Sequence, residues 1–361
     1  RLIVGVAIRD VHGAHLVEEL LAMRPELKIG AVAGPKMRKL PIQEFFRMED
    51  LRVMGWVDVL LVLPKLIRQF FAIRNKILEL SPKAVVFIDY PGFHLRMEKS
   101  LRKKGYRGKL IHFICPTVWA WGKKRIQWME KHLDLLLTIF PFEKRCFNHS
   151  PLNVQYVGHP LTLPVAQFVP SGLFKGKILG IFPGSRKAEI ERNLPFQLKA
   201  ARALRTLDPS LQIAISTTQF EIQVPDAILV PPEDNYELMR ASHLALATSG
   251  TVTLELALHG TPTIVNFAIK PLDCFLAQKI FQIHLPFYCI ANIVVNKRVF
   301  PELFGPNLTE SEFLVQARTL WFDNEARKKC VQDCQEIRLV LGEKNAAFEA
   351  AKWVCLQLKT R

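Results

Sequence analysis

The chain has 361 residues, 49% of them hydrophobic, enough to fill the cores of about two domains. Lys and Arg outnumber Asp and Glu 49 to 33, a formal net charge of +16, so phosphate-bearing partners are expected: nucleic acid, anionic lipid or phosphorylated substrates. The seven cysteines are scattered, without CxxC spacing or a His-rich companion, which argues against a zinc site and for reduced thiols in a cytoplasmic protein.

The chain opens at Arg1 rather than Met, so a few residues are expected to precede it; no signal-peptide pattern is read. Residues 2–7 read as a strand, 14–23 as a helix and 27–32 as a second strand. Residues 56–73 are the nearest approach to a membrane span, but Asp58, Pro64, Lys65, Arg68 and Gln69 break the run. Residues 83–89 (KAVVFID) and 109–114 (KLIHFI) are short β-branched strands, with a basic helical pattern at 93–104 between them. Pro and Gly punctuate 160–176, which reads as an interdomain linker. Beyond it, strands are expected at 177–182, 211–216, 227–230, 244–247 and 263–267, each followed by a helix, and 310–359 reads as helical throughout. Alternation of this kind predicts an α/β chain of two Rossmann-like domains, each a parallel sheet covered on both faces. Two such domains facing each other would put the carboxyl ends of both sheets on one cleft.

Four segments carry chemistry. In Pro183-Gly184-Ser185-Arg186, between a strand and a helix, Gly184 admits close backbone approach, free N–H groups face an anion and Arg186 clamps it. The competing reading is an ordinary strand-to-helix turn. Ser249-Gly250-Thr251 opens a helix with the same logic, and Glu255, one turn on, would bridge ribose hydroxyls; a plain N-cap with an acidic first turn is the alternative. Two anion-cradling turns in one domain favour a nucleoside diphosphate. Asp89, after an apolar strand and before Pro91-Gly92, is a candidate general base, which burial there would help, or else a cap of the next helix. Trp119 and Trp121, followed by Lys123, Lys124 and Arg125, would hold apolar chains and a phosphate together, or simply pack beside a basic helix start.

Taken together, these segments resemble the lipid-A-disaccharide synthase family. The matches run in order: Ala33-Gly34-Pro35-Lys36-Met37, Met54-Gly55, Ile88-Asp89, Pro116-Thr117-Val118-Trp119-Ala120-Trp121, Pro141-Phe142-Glu143-Lys144 and Val157-Gly158-His159-Pro160. They continue with Pro183-Gly184-Ser185-Arg186, Ser249-Gly250-Thr251 with Glu255, Ala291-Asn292 and Pro301-Glu302. The resemblance implies a GT-B fold: an acceptor-binding, membrane-docking domain at 1–160, a UDP-sugar domain at 177–340, and a last helix at 341–361 packing back on the first domain. It implies inverting transfer of 2,3-diacylglucosamine from UDP to the 6-hydroxyl of 2,3-diacylglucosamine 1-phosphate, with no metal or other cofactor. By the same carry-over Asp89 is the base, and Arg186, Ser249, Gly250 and Thr251 stabilise the departing UDP. Glu255 and Asn292 would contact nucleotide or sugar, while Asp10, Gly13, Trp119 and Trp121 would serve the acceptor and first loop. That loop departs from the family's AGExSGD form: Val6, Ile8 and Arg9 replace its acidic, Ser and Gly positions. Either Arg9 replaces backbone donors in a remodelled loop, or catalysis is weakened.

Both substrates implied are lipids. Val59, Leu60, Leu63, Leu66, Ile67, Phe70, Phe71, Ile77 and Leu78 recur at helical spacing among basic residues, predicting a helix lying on an anionic membrane surface, in keeping with peripheral attachment to the inner membrane of a Gram-negative cell. Packing in the first domain's own core is the alternative. Four other function classes compete with this reading. A nucleic-acid binder lacks an RNP, KH or zinc-finger signature. A nicotinamide dehydrogenase lacks G-x-G-x-x-G after the first strand. Another UDP-sugar enzyme of the same fold is an alternative, against which the apolar stripe at 59–71 argues if its substrate is soluble; a non-catalytic lipid-binding relative fits the altered loop. The oligomeric state is left open, a homodimer included.

Overall fold

The computed structural model describes residues 2–7, 10–51, 56–120, 122, 124–218, 220, 222–268 and 285–359, without the side chains of 2–7, 56–62 and Pro306. The chain forms two compact units, Arg1–Pro160 with Lys344–Arg361, and Leu161–Glu343.

The first unit begins with β1 (Leu2–Ala7), α1 (Asp10–Met23), β2 (Ile29–Ala33), β3 (Gln43–Arg47) and the 25-residue α2 (Trp56–Leu80). It continues with β4 (Ala84–Ile88), α3 (Pro91–Lys103), β5 (Lys109–Phe113), α4 (Lys124–His132), β6 (Leu135–Thr138) and β7 (Asn153–Tyr156). The seven strands pair in parallel in the order β3-β2-β1-β4-β5-β6-β7. All five residues of β4 are buried, as a central strand covered on both faces requires.

The second unit runs α5 (Thr162–Gln167), β8 (Lys177–Phe182), α6 (Lys187–Leu207), β9 (Leu211–Ser216), β10 (Ile228–Val230), α7 (Asn235–Ala241) and β11 (Ser242–Thr248). Then come α8 (Thr251–His259), β12 (Thr263–Phe267), α9 (Ile290–Val295), β13 (Glu302–Phe304), α10 (Glu310–Phe322) and α11 (Asn324–Leu341). Its six strands pair in parallel as β10-β9-β8-β11-β12-β13. The final helix, α12 (Ala346–Lys359), belongs to the first unit, where Ala350, Ala351 and Val354 share a core with Ala14, Leu16, Val17 and Leu20 of α1.

Several expected boundaries move for local reasons. The helical stretch expected at 310–359 is three helices, because Thr309, Asp323 and Asn345 each turn a side-chain oxygen onto the backbone N–H groups of the following turn. The expected linker at 160–176 holds α5, with Thr162 and Val165 buried. Strands β3, β6, β7 and β13 were not expected from the sequence; they are three to five residues long and carry too little alternation to separate them from loops. No helix among the described residues is long and apolar enough to cross a membrane.

In both sheets the strand order reverses once, between β1 and β4 and between β8 and β11. Crevices open beyond the strand ends at such reversals, because the connections leave toward opposite sides.

Candidate active site

At the reversal of the second sheet Phe182 pairs with Ala247, so the loops after β8 and β11 start side by side. Together with the end of β9 and the start of α7 they line a cavity of about 770 Å³. Gly184, Ser185, Ser249, Gly250, Thr251 and Glu255, all expected from the sequence, are among the lining residues. So are Ser216, Thr217, Thr218, Asn235, Tyr236 and Glu189, which were not. The hydroxyl run Ser216-Thr217-Thr218 directly after an apolar strand was the available signal for part of this group.

Gly184 has φ +111°, a conformation L side chains rarely adopt, and a Cβ there would lie 3.0 Å from Glu189. The Glu189 carboxylate accepts from the Ser185 N–H at 3.4 Å and pairs with Arg186 at 2.9 Å. Arg186 pairs with this neighbour one turn on, its side chain 81% exposed at the rim of the turn, and it is not among the cavity-lining residues. Under the two loops lies a buried amide network. Gln197 donates to Asn266 at 2.8 Å, Asn266 to Asn193 at 2.9 Å, and Thr248 to the Pro183 carbonyl at 2.9 Å. It joins α6, β11, β12 and the Pro183 turn, so the backbone donors of the cavity are held by fully buried hydrogen bonds.

Asn292 does not belong to the cavity. Its side chain is fully buried, donating to the Phe300 carbonyl at 2.9 Å and to Glu302 at 2.6 Å while accepting from the Val299 and Phe300 N–H groups, both at 2.9 Å. Every hydrogen-bonding position of the amide is used internally, which corrects the expected contact with nucleotide or sugar and makes Asn292 the tie between α9 and β13.

At the reversal of the first sheet, β4 is followed by Asp89 and Tyr90, with φ +54° and +51°, and β5 by Ile114 at φ +74°. Left-handed backbone costs a non-glycine residue ~1–2 kcal/mol, so three such residues at two adjacent strand ends store strain where a crevice opens. Asp89 is half-buried, not enclosed as the sequence reading supposed. The N-cap of α3 is Tyr90, without a side-chain cap, so Asp89 does not cap the helix either. Its N–H donates to the Phe113 carbonyl at 2.9 Å, and its own carbonyl accepts from His94 Nδ1 at 2.7 Å. No described residue hydrogen-bonds or pairs with its carboxylate. Aromatic rings lead away from this turn: Tyr90 stacks on Phe93 at 5.6 Å, Phe93 meets Phe70 of α2 edge-on at 5.3 Å, and Phe70 meets Phe71 at 5.7 Å.

Residues 2–353 match the family model described as lipid-A-disaccharide synthetase. The chain belongs to this family. Similar curated proteins include lipid-A-disaccharide synthase of Chlamydia pneumoniae, 36% identical over 96% of this chain and 60% of that protein. The chain therefore spans about three fifths of the chlamydial relative's length. Lipid-A-disaccharide synthase of Coxiella burnetii is 31% identical over 98% of this chain and 96% of its own. Among solved structures, the glycotransferase of kitacinnamycin covers 99% of this chain and 98% of its own at a TM-score of 0.64 and 14% identity, which shows the fold: two Rossmann-like domains of the GT-B type.

Several motifs of the lipid-A-disaccharide synthetase family serve internal geometry. Asp10, 7% exposed, accepts from the N–H groups of Lys36 and, at 3.2 Å, Met37, so its carboxylate fastens the Ala33–Met37 loop. At Gly13 a Cβ would lie 2.6 Å from Met37 Sδ, so a larger residue there would displace the buried Met37 side chain. Trp119 meets Phe142 edge-on at 5.6 Å; Trp121 lies outside the described residues, as do Ile8, Arg9 and the side chain of Val6. Glu143, 2% exposed, accepts from the Ile139 and Phe140 N–H groups at 3.2 and 3.1 Å. Burial pushes its carboxyl up from 4.5 to about 8, against the lowering effect of those donors and of the Trp119 side chain beside it.

Between those two values the folded chain holds a proton on Glu143 that the unfolded chain has lost, so stability falls as pH rises toward 8. Glu143→Gln removes this contribution. The urea midpoints of wild type and variant, followed from pH 5.5 to 7.5, are expected to diverge in the variant's favour, by at most ~1.4 kcal/mol per pH unit. Parallel midpoints across that range would show Glu143 to be ionised in the folded state.

Proposed function

We propose that the chain moves 2,3-diacylglucosamine from UDP to the 6-hydroxyl of 2,3-diacylglucosamine 1-phosphate, giving the β-1,6-linked disaccharide 1-phosphate and UDP. The family match along residues 2–353 carries this reading. In it, the Asp89 carboxylate takes the proton of the 6-hydroxyl as that oxygen attacks C1 of the donor sugar. The bond from C1 to the β-phosphate oxygen breaks, its electron pair leaves on UDP, and the configuration at C1 inverts. The backbone donors at the start of α8, with the hydroxyls of Ser185, Ser249 and Thr251, receive the diphosphate's growing charge. Tyr236 and Glu255, which interact with each other at the cavity wall, would meet hydroxyls of the ribose or sugar. A cavity of about 770 Å³ suits a nucleotide sugar. The altered first loop keeps the non-catalytic alternative in play.

The test is UDP release, with the product identified by mass, from the two lipids in detergent micelles. Disaccharide 1-phosphate formed in step with UDP is the expected result. UDP binding without turnover would support the non-catalytic relative. Equal turnover of unacylated UDP-N-acetylglucosamine without a lipid acceptor would support another UDP-sugar enzyme.

We further propose that α2 docks on the anionic cytoplasmic face of a Gram-negative inner membrane. Of the stripe read from the sequence, Leu66, Phe70 and Leu78 pack on the first unit's core and Ile77 is buried within it, so only part of it is available. Leu63, Ile67 and Phe71 are 42%, 48% and 46% exposed, beside the exposed Lys65 and Arg68; the side chains of Val59 and Leu60 lie outside the described residues. An apolar row flanked by cations suits an anionic bilayer. Leu63, Ile67 and Phe71 changed together to Ser should abolish sedimentation with vesicles containing anionic lipid and leave the thermal midpoint within about 2 °C. Undiminished sedimentation would move docking elsewhere on the chain.

A further inference from the structure

Beneath the Asp89 turn lies a buried polar chain that the proposed chemistry does not use. His94 and Glu98, one turn apart on α3, are 1% and 0% exposed, and His112 of β5 is 0% exposed. Glu98 Oε1 and His112 Nδ1 are 2.6 Å apart, tying α3 to β5. One turn nearer the helix start, His94 Nδ1 lies 2.7 Å from the Asp89 carbonyl, tying α3 to the end of β4. A carbonyl only accepts, so Nδ1 carries the proton and the tautomer is fixed. The His94 ring is enclosed by Phe87, Tyr90 and Phe93 at 5.1, 5.9 and 5.8 Å and meets His112 edge-on at 6.1 Å.

This arrangement is costly. His94 Nε2, His112 Nε2 and Glu98 Oε2 are buried without a hydrogen-bond partner among the described residues, and an apolar residue at position 94 would avoid that penalty. Burial and the neighbouring His112 push His94 down to about 3, so its ring stays neutral, and the one hydrogen bond it makes is to Asp89. That bond and the Phe113 carbonyl grip Asp89 at both ends of its peptide unit, in a backbone conformation it would not otherwise keep.

We infer that His94, backed by the Glu98–His112 pair, is a positioning residue that holds Asp89 in its left-handed conformation and so aims the carboxylate at the acceptor. The inference rests on the function proposed above. An error of about 1 Å in aim costs on the order of 10²-fold in rate without loss of binding. Asn places an N–H donor where Nδ1 stands; Leu fills the space and donates nothing.

The full-length chain is assayed as wild type, His94→Asn and His94→Leu, with kcat expressed per folded molecule and UDP affinity measured alongside. Leu is expected to lower kcat by about 10²-fold with UDP affinity unchanged, and Asn to restore it to within about 3-fold of wild type. Amide exchange in a peptide spanning residues 88–95 should quicken in the Leu variant alone. Full kcat in the folded Leu variant, or equal loss in both variants, overturns the inference and leaves the proposed function standing. A wild type without turnover overturns the proposed function instead.

Discussion

Asp89→Asn is expected to cut kcat for disaccharide formation by about 10²- to 10⁴-fold while UDP binds as tightly as to wild type. The reason is local. The carboxylate has no described hydrogen-bond or ion-pair partner, so its removal breaks nothing in the fold, and Asn keeps the volume, the polarity and a tolerance of positive φ. The proton of the acceptor hydroxyl then loses the base assigned to it. UDP is assigned to a cavity built wholly from the second unit, so its affinity is not expected to follow. Calorimetric titration with UDP beside single-turnover product analysis separates the two effects. Turnover that survives in Asp89→Asn would keep the transferase reading and move the base to another residue.

Gly184→Ala is expected to strike the opposite half of the reaction. At φ +111° a methyl group is strained in itself, and its Cβ would stand 3.0 Å from Glu189 Cβ and Oε2. Relief requires the Pro183–Ser185 turn to rotate or Glu189 to withdraw, and Glu189 is what now engages the Ser185 N–H and Arg186. Either movement disturbs the donors assigned to the diphosphate. UDP affinity should fall by about 10- to 100-fold, equivalent to ~1.4–2.8 kcal/mol. The same titration checks it, with circular dichroism to confirm the fold. Wild-type affinity in Gly184→Ala would mean that the diphosphate is held by the α8 turn alone.

These two residues were legible in the sequence because each is a break in a strong local pattern. A glycine or an acid placed within two residues of a run of buried apolar residues stands at a strand end, where open α/β sheets bind. The same reasoning failed at Asn292. It is a polar residue in a matched motif, yet it spends all its side-chain hydrogen bonds on the backbone of 299–300 and on Glu302. Type and spacing do not reveal where a side chain's hydrogen bonds go. Thr217, Asn235 and Tyr236 were missed for the converse reason: they reach the cavity from strand and helix ends distant in sequence from either phosphate-type turn.

The sequence by itself determined the alternation of strands and helices, the two loops after β8 and β11, the acid after β4 and the family, because these depend on short-range patterning. Only the tertiary structure decided which members of those motifs stand free. Packing set α2's exposed row at Leu63, Ile67 and Phe71 by burying Ile77 and seating Leu66 and Phe70 on the core. It also brought His94 of α3 and His112 of β5 beneath Asp89, 18 residues apart in the chain. Burial and hydrogen-bond partnership belong to the assembled chain: a carboxylate or an imidazole acquires its role from neighbours that local sequence does not supply.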